Sequence, residues 1–385
     1  MRNSLVSHFV SRDLSARNLA LDGLRGLMIL GMILVNHPPP DVPVFAPLAH
    51  AAWHGWSMAD TIFPGFLFTV GVSIRLAMGD VQGNKRPAPT GADYLKVLRR
   101  FALLLLLNFL LLNFPYYELG RLTFTGTLAR IGWCYLIVAV IHLHSGWRVQ
   151  LALLCIALVG QWAAYASIQV PVFGSGNLTP QGNAGVYIDK LILTPLFGPS
   201  RPDADGYSTL LPTLGAVATT LIGLLAGHWL CTQRALSEKV NGLLVVGLAL
   251  ALLGSAWDAV LPVNKPLWSA SYVMLMAGIS LLLLAALCWV GEIKGRGSWL
   301  TPLKIAGVNA LFFYVFAQSI QRLLVYGRWP TGDGGSVRLR KLIYEQYFSH
   351  SPVAEVGSLC YALVFLAICY GGVFVLYRKR LFIKL

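Results

Sequence analysis

Residues 48 to 60 read LAHAAWHGWSMAD, which places two histidines, two tryptophans and a carboxylate within thirteen positions, between stretches that are almost wholly apolar. A histidine near an aspartate is the usual arrangement for a general base. The carboxylate fixes the imidazole tautomer and stabilises the imidazolium that forms on proton uptake. His50 and His54 are four residues apart, so in a short interfacial helix they share one face, with Trp53 and Trp56 at the headgroup level. An aromatic belt accounts for the tryptophans alone. It does not account for two imidazoles in the company of Asn36 and Asp60. Asp60 has a second reading, as the acid that caps a helix start. A His pair at this spacing also suits a metal, but the segment lacks the HExxH glutamate and has no evident third ligand, so no metal is expected.

Other polar groups fall where lipid makes them costly. Asp22 and Arg25 open an apolar run as LDGLRG, and Asn36 and His37 end it. Arg130 (GTLARIG) and Asn309 (GVNAL) sit near the ends of two further runs, with Gln318 and Gln321 beyond Asn309. A charge at the bilayer centre costs about 2.5 to 3.5 kcal/mol on insertion scales, so such groups face a bundle interior or a water-filled cavity. A lone Asn or Gln commonly does no more than hydrogen-bond a neighbouring helix. A buried arginine asks for a paired acid or an anionic ligand such as a phosphate.

The elements that must position these groups are membrane helices. Of the 385 residues, 56% are hydrophobic and only 12% charged, against about 25% charged in an ordinary soluble domain. Apolar runs able to cross about 30 Å of hydrocarbon number about ten, over 21–38, 60–78, 97–114, 124–143, 148–168, 208–230, 241–258, 269–291, 302–325 and 353–377. The fold expected is an all-α, polytopic bundle forming a single transmembrane domain over 1–385, with a basic cytoplasmic segment at 1–20 and two long outer loops at 169–207 and 326–352.

The net charge is +14, from 30 Lys and Arg against 16 Asp and Glu. In a soluble protein this would suggest nucleic acid. Here the basic residues cluster between apolar runs, as the positive-inside rule expects, and no nucleic-acid partner is inferred. With the N-terminus cytoplasmic, inner connections carry Lys85, Arg86, Lys96, Arg99 and Arg100, then Arg148, Arg234 and Lys239, Lys294, Arg296 and Lys304, and finally Arg378, Lys379 and Arg380. Both termini are then cytoplasmic and His50 is on the outer side. The segment 322–341, with Arg328, Arg338, Arg340 and Lys341, runs against this pattern.

No removable signal peptide is expected, and the six cysteines read as small hydrophobes, with no CxxC pair. The sequence contains no GxSxG elbow, P-loop, GxGxxG fingerprint or DHHC-type cysteine. Serine hydrolases, P-loop NTPases, Rossmann dehydrogenases and cysteine-based palmitoyl transfer therefore have no motif to support them.

Several separated segments, taken together, resemble one family. LDGLRGLMILGMILVN followed by HAAWHGWSMADTIFPGFLFTVGVSI is similar to the bacterial relatives of heparan-α-glucosaminide N-acetyltransferase, and GTLARIGWCYL, DADGYSTLLPTLGAVATTLIGLLAG, LPVNKPLWSASYVMLMAG and WLTPLKIAGVNALFFYV agree in order. The resemblance implies a bundle of ten or eleven spans, in a bacterial inner membrane, that moves an acetyl group from cytosolic acetyl-CoA to an amino sugar on the far side. It implies that His50 is catalytic, with Asn36 and Asp60 as its companions. Two departures are His54, where the human-type pattern has Asn, and Asp203-Ala204-Asp205-Gly206 in place of an acidic DPEG loop.

The expected chemistry is amide formation from a thioester. His50 acts as general base, Asp60 orients it, and Asn36 binds the acceptor or the oxyanion. Arg130, Lys304 and Asn309 hold acetyl-CoA, and Trp53, His54, Asp22 and Arg25 line the substrate path. The partners are acetyl-CoA, an amino sugar or related glycan acceptor and membrane lipid, with a homodimer left open. Two alternatives stand beside this reading. One is a transporter of amino sugars or oligosaccharides, because polar groups line substrate paths as readily as active sites. The other is an O-acetyltransferase acting on a cell-envelope glycan.

Overall fold

The computed structural model describes residues 10–11, 18–79, 88–117, 126–197, 208–330 and 335–383. Among these are thirteen α-helices and two small two-stranded pairings. The helices are α1 (Leu19–Asn36), α2 (Ile62–Met78), α3 (Gly91–Asn113), α4 (Thr127–His144), α5 (Trp147–Ser167), α6 (Ala184–Phe197), α7 (Leu210–Leu230), α8 (Leu236–Trp257), α9 (Ala270–Cys288), α10 (Thr301–Val308), α11 (Ala310–Tyr326), α12 (Leu339–Tyr347) and α13 (Ala354–Arg378).

Eight of the helical segments are long and apolar enough to cross a membrane, and α10 with α11 makes a ninth span broken by a 64° bend at Asn309. The remaining predicted span, 97–114, is α3, a helix of 23 residues whose first half carries Lys96, Arg99 and Arg100. The protein is thus the expected all-α polytopic membrane bundle. Its centre is α7, with 78% of its apolar window buried inside the protein, whereas α8 at 22% and α13 at 28% form the lipid-facing flank. With no hydrophobic drive between helices in lipid, close packing depends on small residues. A Cβ at Gly71 of α2 would lie 1.9 Å from the Thr220 carbonyl oxygen of α7, and one at Gly307 of α10 would lie 1.8 Å from the Asp22 oxygen of α1. Gly71→Val should therefore force α2 off α7 and lower the melting temperature of the detergent-solubilised protein by ten degrees or more, or leave no folded protein. An unchanged melting curve would contradict this packing.

Asn18 caps α1 by accepting the Leu21 N–H at 2.9 Å. Asp22 is left for another task. Strand β1 (Val10–Ser11) pairs antiparallel with β4 (Phe382–Ile383), so the two ends of the chain lie at one end of the bundle. The two long connections are not bare loops. The first contains α6, which Asp189 ties to α7 by accepting the Leu210 N–H at 3.1 Å. Its residues 198–207, including Asp203 to Gly206, lie outside the described set. The second folds into a hairpin of β2 (Arg328–Pro330) and β3 (Ser336–Arg338), followed by α12. Of its charges, Arg340 reaches back to donate to the Pro38 carbonyl at 2.5 Å, and Lys341 lies 3.6 Å from Glu345 one turn on.

Candidate active site

The segment carrying both histidines is not a helix. From His50 to Trp56 the chain runs through bends, with Gly55 at φ 91°, a conformation that favours glycine. Its backbone is tied sideways instead: Ala51 N–H donates to Asp60 Oδ2 at 3.0 Å and Gly55 N–H to the Val263 carbonyl at 2.7 Å. His50 and His54 therefore do not share a helical face. The expectation of a short interfacial helix is corrected, because tertiary partners replace the i to i+4 bonds.

His50 turns toward Asp60. Its Nδ1 lies 2.8 Å from Asp60 Oδ1, and its Nε2 lies 3.2 Å from Asn36 Oδ1 at the C-terminal end of α1. In the Nδ1–H tautomer the ring donates to the carboxylate and Nε2 is the unprotonated nitrogen. Once Nε2 takes a proton, it can donate to Asn36 Oδ1, so the amide is placed to receive the imidazolium. Asp60 is 1% exposed while His50 is 39% exposed, so a fixed buried carboxylate holds an accessible imidazole.

Asp60 also serves as a cap. Ser57 N–H and Ser57 Oγ–H both donate to Asp60 Oδ2, at 3.1 and 3.2 Å, forming a capping box on the turn that leads into α2. Tyr272 of α9 donates its hydroxyl to the Asp60 backbone carbonyl at 2.7 Å. The structural and chemical readings of Asp60 thus hold together. Among the described residues no group of three or more His, Cys, Asp or Glu is arranged to hold a metal.

Two residues outside the sequence-predicted set complete the site, both from the turn between α8 and α9. Lys265 Nζ lies 3.0 Å from Asp60 Oδ1 and 3.1 Å from His50 Nδ1. Burial pushes the Lys265 ammonium below the ordinary lysine range, with the Asp60 charge pulling it back up. Asn264 donates to the Trp53 carbonyl at 2.9 Å and sits 3.3 Å from His54 Nδ1. Trp53 donates its indole N–H to the Leu178 carbonyl at 2.8 Å, fastening the segment to the first long connection, and Trp56 stays 47% exposed. The signal for Lys265 was the single cation in LPVNKPLW, a segment otherwise apolar or neutral.

The remaining predicted residues fall into separate places. Asp22 and Arg25 pair at 2.6 Å on the first turns of α1, and Arg25 donates to Ser73 of α2 at 2.8 Å. Both line a cavity of about 410 Å³ among α1, α2, α3, α4, α10 and α11, which Arg100 also lines. Arg100 stacks over the Tyr135 ring at 4.4 Å, and its buried Nε has no hydrogen-bond partner. From this end the cavity reaches Ile29, Met32 and Phe66, toward the His50 end of α1 and α2.

The expected donor trio is split. Arg130 lies at the His50 end, over the Trp268 ring at 5.2 Å and 3.4 Å from the Ser208 carbonyl. Lys304 lies on α10, beside the stretch where Leu303 meets Gly26 of α1, at the Arg25 end. Asn309 is committed to the chain terminus: it donates to the Leu381 carbonyl at 3.0 Å and accepts the Ile383 N–H at 2.9 Å. From the sequence, Arg130 and Asn309 were placed near the ends of two apolar runs and Lys304 among the charges of an inner connection, and the three were expected to act together.

Comparison with known proteins points to one family. The catalytic-domain model described as heparan-alpha-glucosaminide N-acetyltransferase matches residues 17–256. The human protein named heparan-alpha-glucosaminide N-acetyltransferase is 26% identical over 97% of this chain and 60% of its own length, and the mouse protein of that name is 26% identical over 97% and 62%. The chain thus spans less than two thirds of either relative. The matched region carries Asn36, His50 and Asp60, and by that match the chain belongs to the catalytic family of heparan-α-glucosaminide N-acetyltransferase.

Proposed function

We propose that this protein is a membrane-embedded N-acetyltransferase that takes its acetyl group from acetyl-CoA and passes it to an amino sugar at the His50 end of the bundle. The observation that carries the reading is the polarised imidazole. His50 has a buried carboxylate at 2.8 Å on Nδ1 and an open Nε2, at the head of two helices that also line a cation-bearing cavity.

Each side chain then has a task. His50 Nε2 removes the proton from the acceptor amine as nitrogen attacks the thioester carbonyl, Asp60 stabilises the imidazolium, and as the C–S bond breaks that proton goes to the departing CoA thiolate, leaving amide, free CoA and neutral His50. Asn36 accepts a hydrogen bond from the protonated Nε2 or binds the acceptor. The donor's phosphates meet Arg25 and Arg100, with Lys304 at the same end, and its arm follows the apolar wall of Ile29, Met32 and Phe66 toward His50. Arg130, His54 and Trp53 belong to the acceptor side. The site serves equally for a sugar hydroxyl, and the mass and lability of the product separate amide from ester.

The test begins with the purified protein in detergent: binding of acetyl-CoA, then turnover with glucosamine and related amines. Arg100→Gln should weaken acetyl-CoA binding about ten- to a hundredfold, the worth of one charge-assisted contact, while the His50 end stays intact. Unchanged affinity would remove the cavity from the donor path. No binding of any CoA thioester by the wild type would end the transferase reading.

A further inference from the structure

Lys265 is presented with unusual rigidity for a residue in a connection between helices. Asp258 accepts the Val263 N–H at 2.6 Å, Asn264 Oδ1 accepts the Leu267 N–H at 2.8 Å, and Ser269 Oγ accepts the Asn264 N–H at 3.1 Å. Trp268 is fully packed and held at φ 49°, a costly backbone state for a non-glycine residue that persists only where its surroundings over-determine it. The Gly55 and Trp53 contacts then lock this turn to the histidine segment.

The ammonium and the imidazole address the same oxygen, Asp60 Oδ1, at 3.0 and 2.8 Å. A carboxylate paired with imidazole alone favours the imidazolium, and a base that already carries its proton removes none. A cation 3.1 Å from Nδ1 acts in the opposite direction. The charged and titratable groups around the ring are Asp60 at the head of α2 and Lys265 from the turn, with His54 and Arg130 one layer behind. Arg130 lies within Coulombic range of Lys265.

We propose that Lys265 is a positioning residue that keeps His50 available as a neutral base, its ammonium offsetting the pull of Asp60 toward the imidazolium. This rests on the reading of His50 as base, and it deepens it: the working unit is Asp60, His50 and Lys265 rather than a dyad. Lys265 touches Nδ1 and the carboxylate, whereas Nε2 faces the acceptor, so its part is indirect.

The test is the rate at which diethyl pyrocarbonate modifies His50, resolved from His54 by mass spectrometry, in the full-length protein at pH 6 and pH 8.5. The reagent takes only neutral imidazole and needs no acyl donor, so the outcome is independent of whether acetyl transfer is detected. Lys265→Met should lower the His50 rate at pH 6 by roughly five- to tenfold, the loss expected when one close cation no longer opposes the carboxylate. At pH 8.5 the two rates should agree. His54 should change by less than twofold, and Lys265→Arg, which keeps the charge, should restore the His50 rate. An unchanged His50 rate at pH 6, or an equal fall at both histidines and both pH values, would overturn the proposal.

Discussion

His50→Ala is expected to abolish acetyl transfer while leaving acetyl-CoA binding within about twofold of wild type. The argument is spatial. His50 is at the open rim, whereas Arg25 and Arg100 sit at the far end of the cavity, so deleting the imidazole removes the base without touching the proposed donor contacts. A positioned general base contributes about 10² to 10⁴ in rate, and the loss should fall in that range or below detection. Folding should be little affected, because the side chain is 39% exposed. Turnover and equilibrium binding of acetyl-CoA, measured on one preparation, check both halves. Retained turnover would move the base elsewhere, with His54 the first to examine.

Asp60→Asn should cost both activity and stability. Five donors converge on the Asp60 carboxylate: the His50 imidazole, the Lys265 ammonium, Ala51 N–H, Ser57 N–H and Ser57 Oγ–H. An amide has one acceptor oxygen, so in either orientation its NH₂ group points at two or more donors. Lys265 is left as a partly buried cation without its carboxylate, and breaking a buried charge pair from one side costs about 3 to 5 kcal/mol. The imidazole also loses the acceptor that fixes its tautomer. The expected result is a clear fall in melting temperature in detergent, with a turnover loss of at least about a hundredfold in the protein that remains folded. Ser57→Ala, which removes only one of the five donors, should be much milder. A normal melting curve for Asp60→Asn would mean that the five contacts do not act together.

These expectations draw on sequence and structure unequally. The spans were legible because each is a long apolar run, and the helices found lie within a few residues of them, except toward the N-terminus of α3. The grouping of Asn36, His50 and Asp60 was legible because it is local: fourteen and ten residues separate His50 from its partners. Lys265 was not, since it arrives from 205 residues beyond Asp60 on a connecting turn, where no periodicity points a side chain anywhere. The expected histidine helix failed for a related reason. Spacing describes the face a residue would occupy in a helix, but the contacts of Ala51 and Gly55 with other elements override that local geometry. Asn309 looked like a polar residue in a span and proved to mark the bend between α10 and α11, where its side chain receives the chain terminus.

Helix α1 carries Arg25 in its second turn and Asn36 at its end, in one unbroken helical segment. Eleven residues at the helical rise make this about 16 Å, a fixed gauge between the site proposed for the donor's phosphates and the site of transfer. An extended pantetheine arm has the same length scale. On the proposed donor path the helix would serve as a ruler, with the donor's arm laid along it. A donor with a shortened arm would dock its head group at Arg25 and leave its thioester inside the protein, out of reach of His50. Under that proposal, selection of the donor would be a measurement of length.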